Sequence, residues 1–535
     1  MQGEKHLVPK LMYQISLESL VPIDNYYRRL SGLFDWGFLR KETAHYFGSE
    51  GQKSIDPVVF FKILLVGYLN NITSDRKLIE YCSNCFDVRL FLKYDVDEAL
   101  PWHSTISRTR KLFGEEVFLS LFQKVLSICV EKGMVKGKRQ AIDSAFVKAN
   151  ASLDSLEVKP VVDADQIQAD VKAYSEELNN NSEFRAKPLN RPITPKDKGT
   201  LTVNRHKQKR VDLHHKWKTE AYKTMPGRGK KDSGKPDQHG HIIRPKYLSN
   251  HTHTSPTDPD ARIAVKPGKA RQMNYYAQVA VDEFNHVITA AGAGFADKRD
   301  SECLAHILEQ NIDNLKQNNL RCQQITADTA FSSGEALAYC QKKNIDAYIP
   351  NFGQYKNQRE GLEYNEELDL YQCIRGNRAV LPYRKTIIDH DGHYKKVYRS
   401  NNHKCKECPL RKTCIGKSDF KKVEHTIHKP LYDAMHEKLQ QPYAKRILKK
   451  RSSTVEPVLG TMLNFLNLKR LNARGIKSAN KHVMMSALTY NLKKLMKHAR
   501  PKAEKLEMAM IKSQKNLAKA IYIFFGPKMG LLTAF

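Results

Sequence analysis

The pattern that most restricts what this chain can fold into runs from residue 139 to residue 350. Short β-prone runs there alternate with helical ones. Arg139–Val147, Met273–Val281, His286–Phe295, Gln323–Asp328 and Asp346–Pro350 read as strands. Residues 300–315 and Ser333–Lys343 read as helices. Three strands in a row, joined in part by the turn at 282–285, imply an antiparallel meander. The helix–strand alternation that follows implies parallel additions. The expected class is α+β, a mixed sheet flanked by helices. In such a sheet the first and fourth strands can lie side by side, and Asp143 and Asp328 would then meet at one edge.

Residues 1–135 read as helical. A polar cap region and Pro57 precede the apolar run Val58–Tyr68, Ser74 opens a second helix, and Ser104 opens a third. Arg76, Lys77, Arg108, Arg110 and Lys111 fall on polar positions of these helices. That arrangement suits a helix-turn-helix style DNA reader, and equally a plain helical bundle with a solvated basic face. Two long inserts interrupt the strand pattern. Residues 151–271 are polar and basic, with Trp217, Tyr222 and Tyr247 interleaved, which suits phosphates and exposed bases or a solvated linker. Residues 351–440 carry a cysteine cluster. The catalytic core is expected in 136–150, 272–350 and 441–498, followed by a helical tail at 499–535.

Lys and Arg number 89 against 57 Asp and Glu, a net charge of +32. Such an excess favours a polyanionic partner, nucleic acid above all. With 41% hydrophobic residues the chain can build real cores. It contains no apolar run of membrane-spanning length, and Ile521–Phe525 is too short to cross. The N-terminal residues 1–6 lack a signal-peptide core, so a cytoplasmic protein without a membrane partner is expected. Ten scattered cysteines fit a reducing compartment. Three of them cluster as Cys405, Cys408 and Cys414, and with a fourth ligand from Cys373, His403 or His425 they could close a tetrahedral Zn²⁺ site. Cys82 and Cys85 read as core thiols.

Three carboxylates stand in settings that could hold a hard divalent cation. Asp143 and Asp328 end apolar, β-prone runs. Glu456 is the only acid between residues 441 and 481, and Pro457 after it suits the first turn of a helix. Each alone reads as well as a turn residue or an ion-pair partner. As a set they match the needs of two-metal phosphoryl chemistry. Asp258 and Asp260, just ahead of the second strand, are further candidate ligands.

The chain resembles the DDE transposases of bacterial insertion sequences, in particular those with an InsH-type helical N-terminal domain and a ribonuclease-H-like catalytic domain. Ser54-Ile-Asp-Pro-Val-Val-Phe-Phe-Lys62, Thr73-Ser-Asp-Arg-Lys-Leu78 and Pro101-Trp-His-Ser-Thr-Ile-Ser-Arg108 carry the N-terminal likeness. Ala141-Ile-Asp143-Ser-Ala145, Thr326-Ala-Asp328-Thr-Ala-Phe331 and Thr454-Val-Glu456-Pro-Val-Leu-Gly460, with Arg474-Gly475, carry the catalytic one. The cysteine insert also resembles a segment of this group. Related chains often place a Lys six or seven residues after the Glu; Met462 and Leu463 stand there in this one, and Lys469 is the nearest substitute.

The resemblance implies that Asp143, Asp328 and Glu456 coordinate two Mg²⁺ or Mn²⁺ ions. Water would then cleave the phosphodiester at the element's end, and the freed 3′ hydroxyl would attack target DNA in line. Arg451, Lys469, Arg470 and Arg474 would hold phosphates near the site, and Arg76, Arg108 and Arg110 would contact DNA from the helical domain. The partners implied are terminal inverted repeats and target duplex, bound by a homodimer because two ends must be joined, at the bacterial nucleoid. The competing readings are a repurposed DNA-binding protein without catalysis and a metal-dependent nuclease that cuts without joining.

Overall fold

The β-prone runs form one mixed sheet in the computed structural model, which describes residues 16–48, 50, 54–158, 250, 253–265, 271–353, 355, 357, 359–389 and 393–498. Most of the basic insert, including Trp217, Tyr222 and Tyr247, and the tail with Ile521–Phe525 lie outside the described residues. Contacts divide the chain into two units, residues 1–135 with 485–535 and residues 136–484.

In the helical unit, α1 (Leu17–Leu20), α2 (Tyr26–Ser31) and α3 (Phe38–Thr43) precede α4 (Pro57–Leu69). Asp56 caps α4 by accepting from the Val58 N–H at 2.9 Å, and Pro57 takes the first turn, where no backbone donor is needed. This helix is apolar on every face, and every residue from Pro57 to Tyr68 is buried. A helix of that composition has to be central. It packs with α5 (Asp75–Asn84) and α6 (Phe86–Leu92), while α7 (His103–Leu112) and α8 (Glu115–Glu131) follow in the chain. The rings of Phe61 and Phe113 stack at 6.0 Å, with Phe118 edge-on to Phe61 at 5.1 Å.

Lys62 is the one charge inside α4. Its ammonium donates to the Phe91 carbonyl at 2.7 Å and sits 4.5 Å above the Phe91 ring. Burial lowers its pKa from the ordinary 10.5 to about 8. The unfolded chain therefore holds this proton up to pH 10.5, whereas the folded chain releases it near 8. The burial penalty is complete below pH 8 and disappears as pH rises to 10.5, a gain of about 3 kcal/mol at ~1.4 kcal/mol per pH unit. Denaturant unfolding of the full chain and of Lys62→Met should show this as a difference that changes by that amount across the window. A difference that does not vary with pH would rule the effect out.

The mixed sheet has the order β4 (Arg262–Ala264), β5 (Gln272–Asp282), β1 (Arg139–Lys148), β7 (Gln324–Thr326), β8 (Asp346–Tyr348), with β6 (Ile288–Phe295) also paired to β5. β1 runs antiparallel to β5 and parallel to β7, and β7 runs parallel to β8. Helix α9 (Asp300–Gln317) covers β5 and β6, and α10 (Gly334–Lys342) links β7 to β8. A buried polar chain locks α9 onto the sheet. Asn311 donates to the Thr289 hydroxyl, which donates to the Gln140 side-chain carbonyl, each at 2.7 Å.

Residues 351–440 contain a second, antiparallel sheet that the sequence pattern did not reveal. Its order is β13 (Lys422–Thr426), β12 (Tyr394–Arg399), β11 (Val380–Ile388), β10 (Leu370–Cys373), β9 (Leu362–Asn365). Helices α11 (Asn402–Lys406) and α12 (Arg411–Cys414) lie between β12 and β13. After them come α13 (Lys429–Gln440), α14 (Pro442–Phe465) and α15 (Ile476–His498). Glu456 and Pro457 are thus mid-helix, not in a first turn. Pro442 already occupies the opening turn of α14, and the stripe Ala444, Ile447, Thr454, Val455, Val458, Leu459 and Met462 stays buried straight through Pro457. Packing of that stripe outweighs the hydrogen bond that Pro457 cannot make. Among the described residues no helix is long and apolar enough to cross a membrane.

Candidate active site

Asp143 lies inside β1, opposite Val279 of β5. The parallel register between β1 and β7 pairs Ala141 with Thr326. Asp143 comes two residues later within β1, and Asp328 two residues later, just past the end of β7, near enough for its charge to act on Asp143. The chain turns immediately after Asp328. Its carboxylate accepts from the Ala330 N–H at 3.0 Å and heads a 3₁₀ turn, Thr329–Phe331, which buries the Phe331 ring. Beside Asp143, the Ser144 hydroxyl donates to Asp300 at the start of α9.

Helix α14 packs against β1, β5, β7 and β8. Its orientation is fixed at one end by a polar cluster: Arg139 pairs with Glu283 at 2.8 Å and donates to the Tyr443 hydroxyl at 3.0 Å, and Lys450 also pairs with Glu283. Burial would raise the Glu283 carboxyl, but Lys450 and Arg139 outweigh it and hold the group below its ordinary range. The opposite result holds at Asp143. Its side chain is 15% exposed, and burial raises its pKa, reinforced by the charge of Asp328 and opposed by the Ser144 N–H and Arg451.

Arg451 links the third acid to the first. Its guanidinium, 13% exposed, lies 3.1 Å from Asp143 and 3.5 Å from Glu456, whose own side chain is 57% exposed. The residue expected to grip phosphate is therefore bound between two of the three carboxylates. Among the described residues no three Asp, Glu, His or Cys side chains converge closely enough to hold a metal ion as they stand. The donor set still suits a hard cation. Asp143 is a buried carboxylate beside a second carboxylate, with one shared arginine as counter-charge, and charges so placed are costly without a cation.

Asp258 and Asp260 are committed elsewhere. Asp258 accepts from the Tyr275 hydroxyl at 2.6 Å and the Gly475 N–H at 3.1 Å, and Asp260 accepts from the Ile476 N–H at 3.0 Å. They fix the start of α15. Met462 is fully buried, so a Lys could not stand there and reach solvent. Lys469 and Arg470 are exposed, and the segment carrying them adds to the far end of β1. The Lys148 N–H donates to the Lys469 carbonyl at 3.1 Å, and the Leu471 N–H to the Lys148 carbonyl at 2.9 Å. Lys148, itself exposed and overlooked in the sequence, joins them. The cue was its position on the strand that carries Asp143, five residues further on, or about 17 Å along β1. Arg474 is exposed nearby in sequence.

In the helical unit Arg76 and Arg108 are exposed, and Arg76 lies 2.9 Å from the His103 ring. Arg110 instead pairs through both terminal nitrogens with Asp75, at 2.7 and 3.0 Å, and ties α7 to α5.

Residues 15–112 match a family described as a transposase domain (DUF772), and residues 372–496 match one described as a transposase DDE domain. Both are transposase families, and the two matches are consistent with a DDE transposase of an insertion sequence. The first match covers Arg76, Arg108 and Arg110. The second covers Arg451, Glu456 and the cysteine cluster, and leaves Asp143 and Asp328 outside. No curated protein matches the chain. The likeness thus covers residues 15–112 and 372–496, while the segments carrying Asp143 and Asp328 are described by their geometry alone.

Proposed function

We propose that this transposase binds the terminal inverted repeats of an insertion sequence, cleaves the DNA there in a metal-dependent reaction, and transfers the freed strand to a target duplex in the bacterial cytoplasm. The observation that supports it most is that parallel strands β1 and β7 bring Asp143, within β1, close to Asp328, just past the end of β7, while Arg451 links Glu456 to Asp143. The antiparallel β6, β5 and β1, extended by the parallel β7 and β8, support a ribonuclease-H-like reading of this six-stranded sheet, to which β4 adds beside β5.

Asp143, Asp328 and Glu456 would hold two Mg²⁺ or Mn²⁺ ions, which when bound supply Lewis acidity to the phosphodiester. The sheet fixes both aspartates on a rigid frame, and α14 brings Glu456 from the side. Lys148, Lys469, Arg470 and Arg474 form an exposed cationic edge that orients the DNA backbone. Arg76 and Arg108 offer phosphate contacts in the helical unit, and Arg110 keeps that unit's helices in register. A homodimer is the natural assembly, since two element ends have to be held together.

Arg451 would neutralise the acids before metal enters. Replacing it removes that competitor, so Arg451→Gln should bind Mn²⁺ roughly tenfold more tightly, the equivalent of ~1.4 kcal/mol. Titration followed by the electron spin resonance of free Mn²⁺ measures this, and an unchanged affinity would show that Arg451 does not compete at the site. The function itself is tested first by binding. A duplex carrying the element's own terminal repeat should be retained in a mobility-shift assay, in EDTA, against an excess of scrambled duplex. Equal competition by the scrambled sequence would contradict repeat recognition.

A further inference from the structure

Nine of the ten cysteines, all but the half-buried Cys85, fall into two groups that differ in environment. Cys82, Cys129, Cys303, Cys322 and Cys340 are buried in cores, and burial pushes the thiols of Cys82, Cys129, Cys322 and Cys340 up to about 12. Cys373, Cys405, Cys408 and Cys414 are partly or fully exposed, come from separate elements, and all line a single cavity of about 360 Å³. Cys373 ends β10, Cys405 is in α11, Cys408 follows it in the turn, and Cys414 ends α12. We propose that these four thiolates close around one structural Zn²⁺ in this cavity; as they stand, Cys373 donates to the Arg375 carbonyl and Cys405 is hydrogen-bonded to the Ser400 hydroxyl, so binding draws the sulfurs together from these positions.

The surrounding structure is built around the sulfurs. The loop after Cys373 passes so close to Cys408 that a Cβ on Gly376 would stand 2.4 Å from its sulfur, and Gly376 adopts a positive φ of 55°. Asn377 in the same loop donates to the Lys404 carbonyl at 3.1 Å, which clamps the hairpin to α11. Arg375, Lys404, Arg411 and Lys421 also line the cavity. Four thiolates around one Zn²⁺ leave two negative charges, which these cations offset.

The geometry also selects the fourth ligand. Both ring nitrogens of His425 are taken, by the Tyr371 hydroxyl at 2.8 Å and the Tyr398 hydroxyl at 3.0 Å, in a buried network that keeps the ring neutral. His403 is exposed and does not line the cavity. Cys373 remains, giving an all-sulfur set suited to a closed tetrahedral site. The metal has structural work to do there. The second sheet's core cluster is small, Leu362, Tyr371, Leu381, Tyr398 and Val423 with Tyr364 and Cys373 packed against it, and a core of that size gains from a staple.

The site is independent of the DNA chemistry, and so is its test. Full-length protein, purified with reductant from zinc-supplemented cells, should contain one zinc per chain, released by a mercurial and detected with a chromogenic chelator. Cys408→Ser and Cys414→Ser should lose that zinc, whereas His403→Ala and Cys85→Ser should keep it. If the serine variants do not fold, Co²⁺ substitution of the wild type decides the matter: thiolate-to-cobalt charge-transfer bands with tetrahedral d–d absorption support the site. Protein without stoichiometric zinc, a Co²⁺ spectrum without thiolate bands, zinc retained in both serine variants, or bound iron with a cluster chromophore would each overturn it.

Discussion

Replacing Asp143, Asp328 or Glu456 by alanine, one at a time, is expected to lower strand cleavage by at least about 10³-fold and to leave DNA binding in place. The reason is positional. Asp143 lies within β1, Asp328 just past the end of the neighbouring parallel strand β7, and Glu456 on α14, so none can take the place of another. The phosphate contacts proposed above lie elsewhere, on Lys148, Lys469, Arg470 and Arg474. Cleavage of a labelled repeat duplex in Mg²⁺, alongside a binding isotherm in EDTA, separates the two quantities. Full cleavage in any one variant would remove that residue from the site. The Asp143 carboxyl is raised by burial and by Asp328. Because a proton on Asp143 competes with metal, Mn²⁺ affinity should accordingly fall on acidification from a higher pH than it would at an exposed carboxylate.

The second large effect is on affinity. Arg76, Arg108, Lys148, Lys469, Arg470 and Arg474 are six exposed cations in a chain of net charge +32. If each displaces a counterion, the logarithmic salt slope is about −5, and affinity drops by roughly 10³-fold between about 50 and about 200 mM salt. Lys469→Ala or Arg470→Ala should reduce that slope by about one and leave the preference for the repeat intact. A shallow slope would mean that the cationic edge of β1 does not touch the DNA backbone. Arg110→Ala would behave differently. It breaks the pair with Asp75 and loosens α5 from α7, so it should cost stability of the helical unit more than it alters the slope.

What the sequence made legible follows from periodicity. β1, β5, β6 and β7 are apolar, β-prone runs, and the neighbouring of β1 and β7 follows once the meander and the alternation are recognised. The helix around residues 57–69 was equally plain, because its cap, its proline and its apolar run agree. Other features depend on contacts between distant segments. The start of α14 was hidden because Lys445, Arg446, Lys449, Lys450 and Arg451 break up its apolar stripe, so the pattern became clear only near Val455. The strand β4 is three residues long. The second sheet leaves most of β11 exposed, so its strands lack the alternation that marks a half-buried strand. Arg451 looked like one cation among many. Only the fold shows that it faces an aspartate 308 positions earlier, a relationship no local pattern encodes. Asp258 and Asp260 erred the other way, since acids near a strand suggested ligands while the fold uses them to hold the start of α15.

The most direct measurement is a coupled cleavage and joining assay. Purified full-length protein, Mg²⁺, a labelled duplex carrying the element's terminal repeat and a supercoiled target plasmid are incubated together, with Asp328→Ala as control. The expected result is metal-dependent cutting at the repeat followed by transfer of label to the plasmid, both absent in the control. Repeat-specific binding without cutting in Mg²⁺ or Mn²⁺, or cutting with no label joined to the plasmid, would contradict a transposase that completes strand transfer.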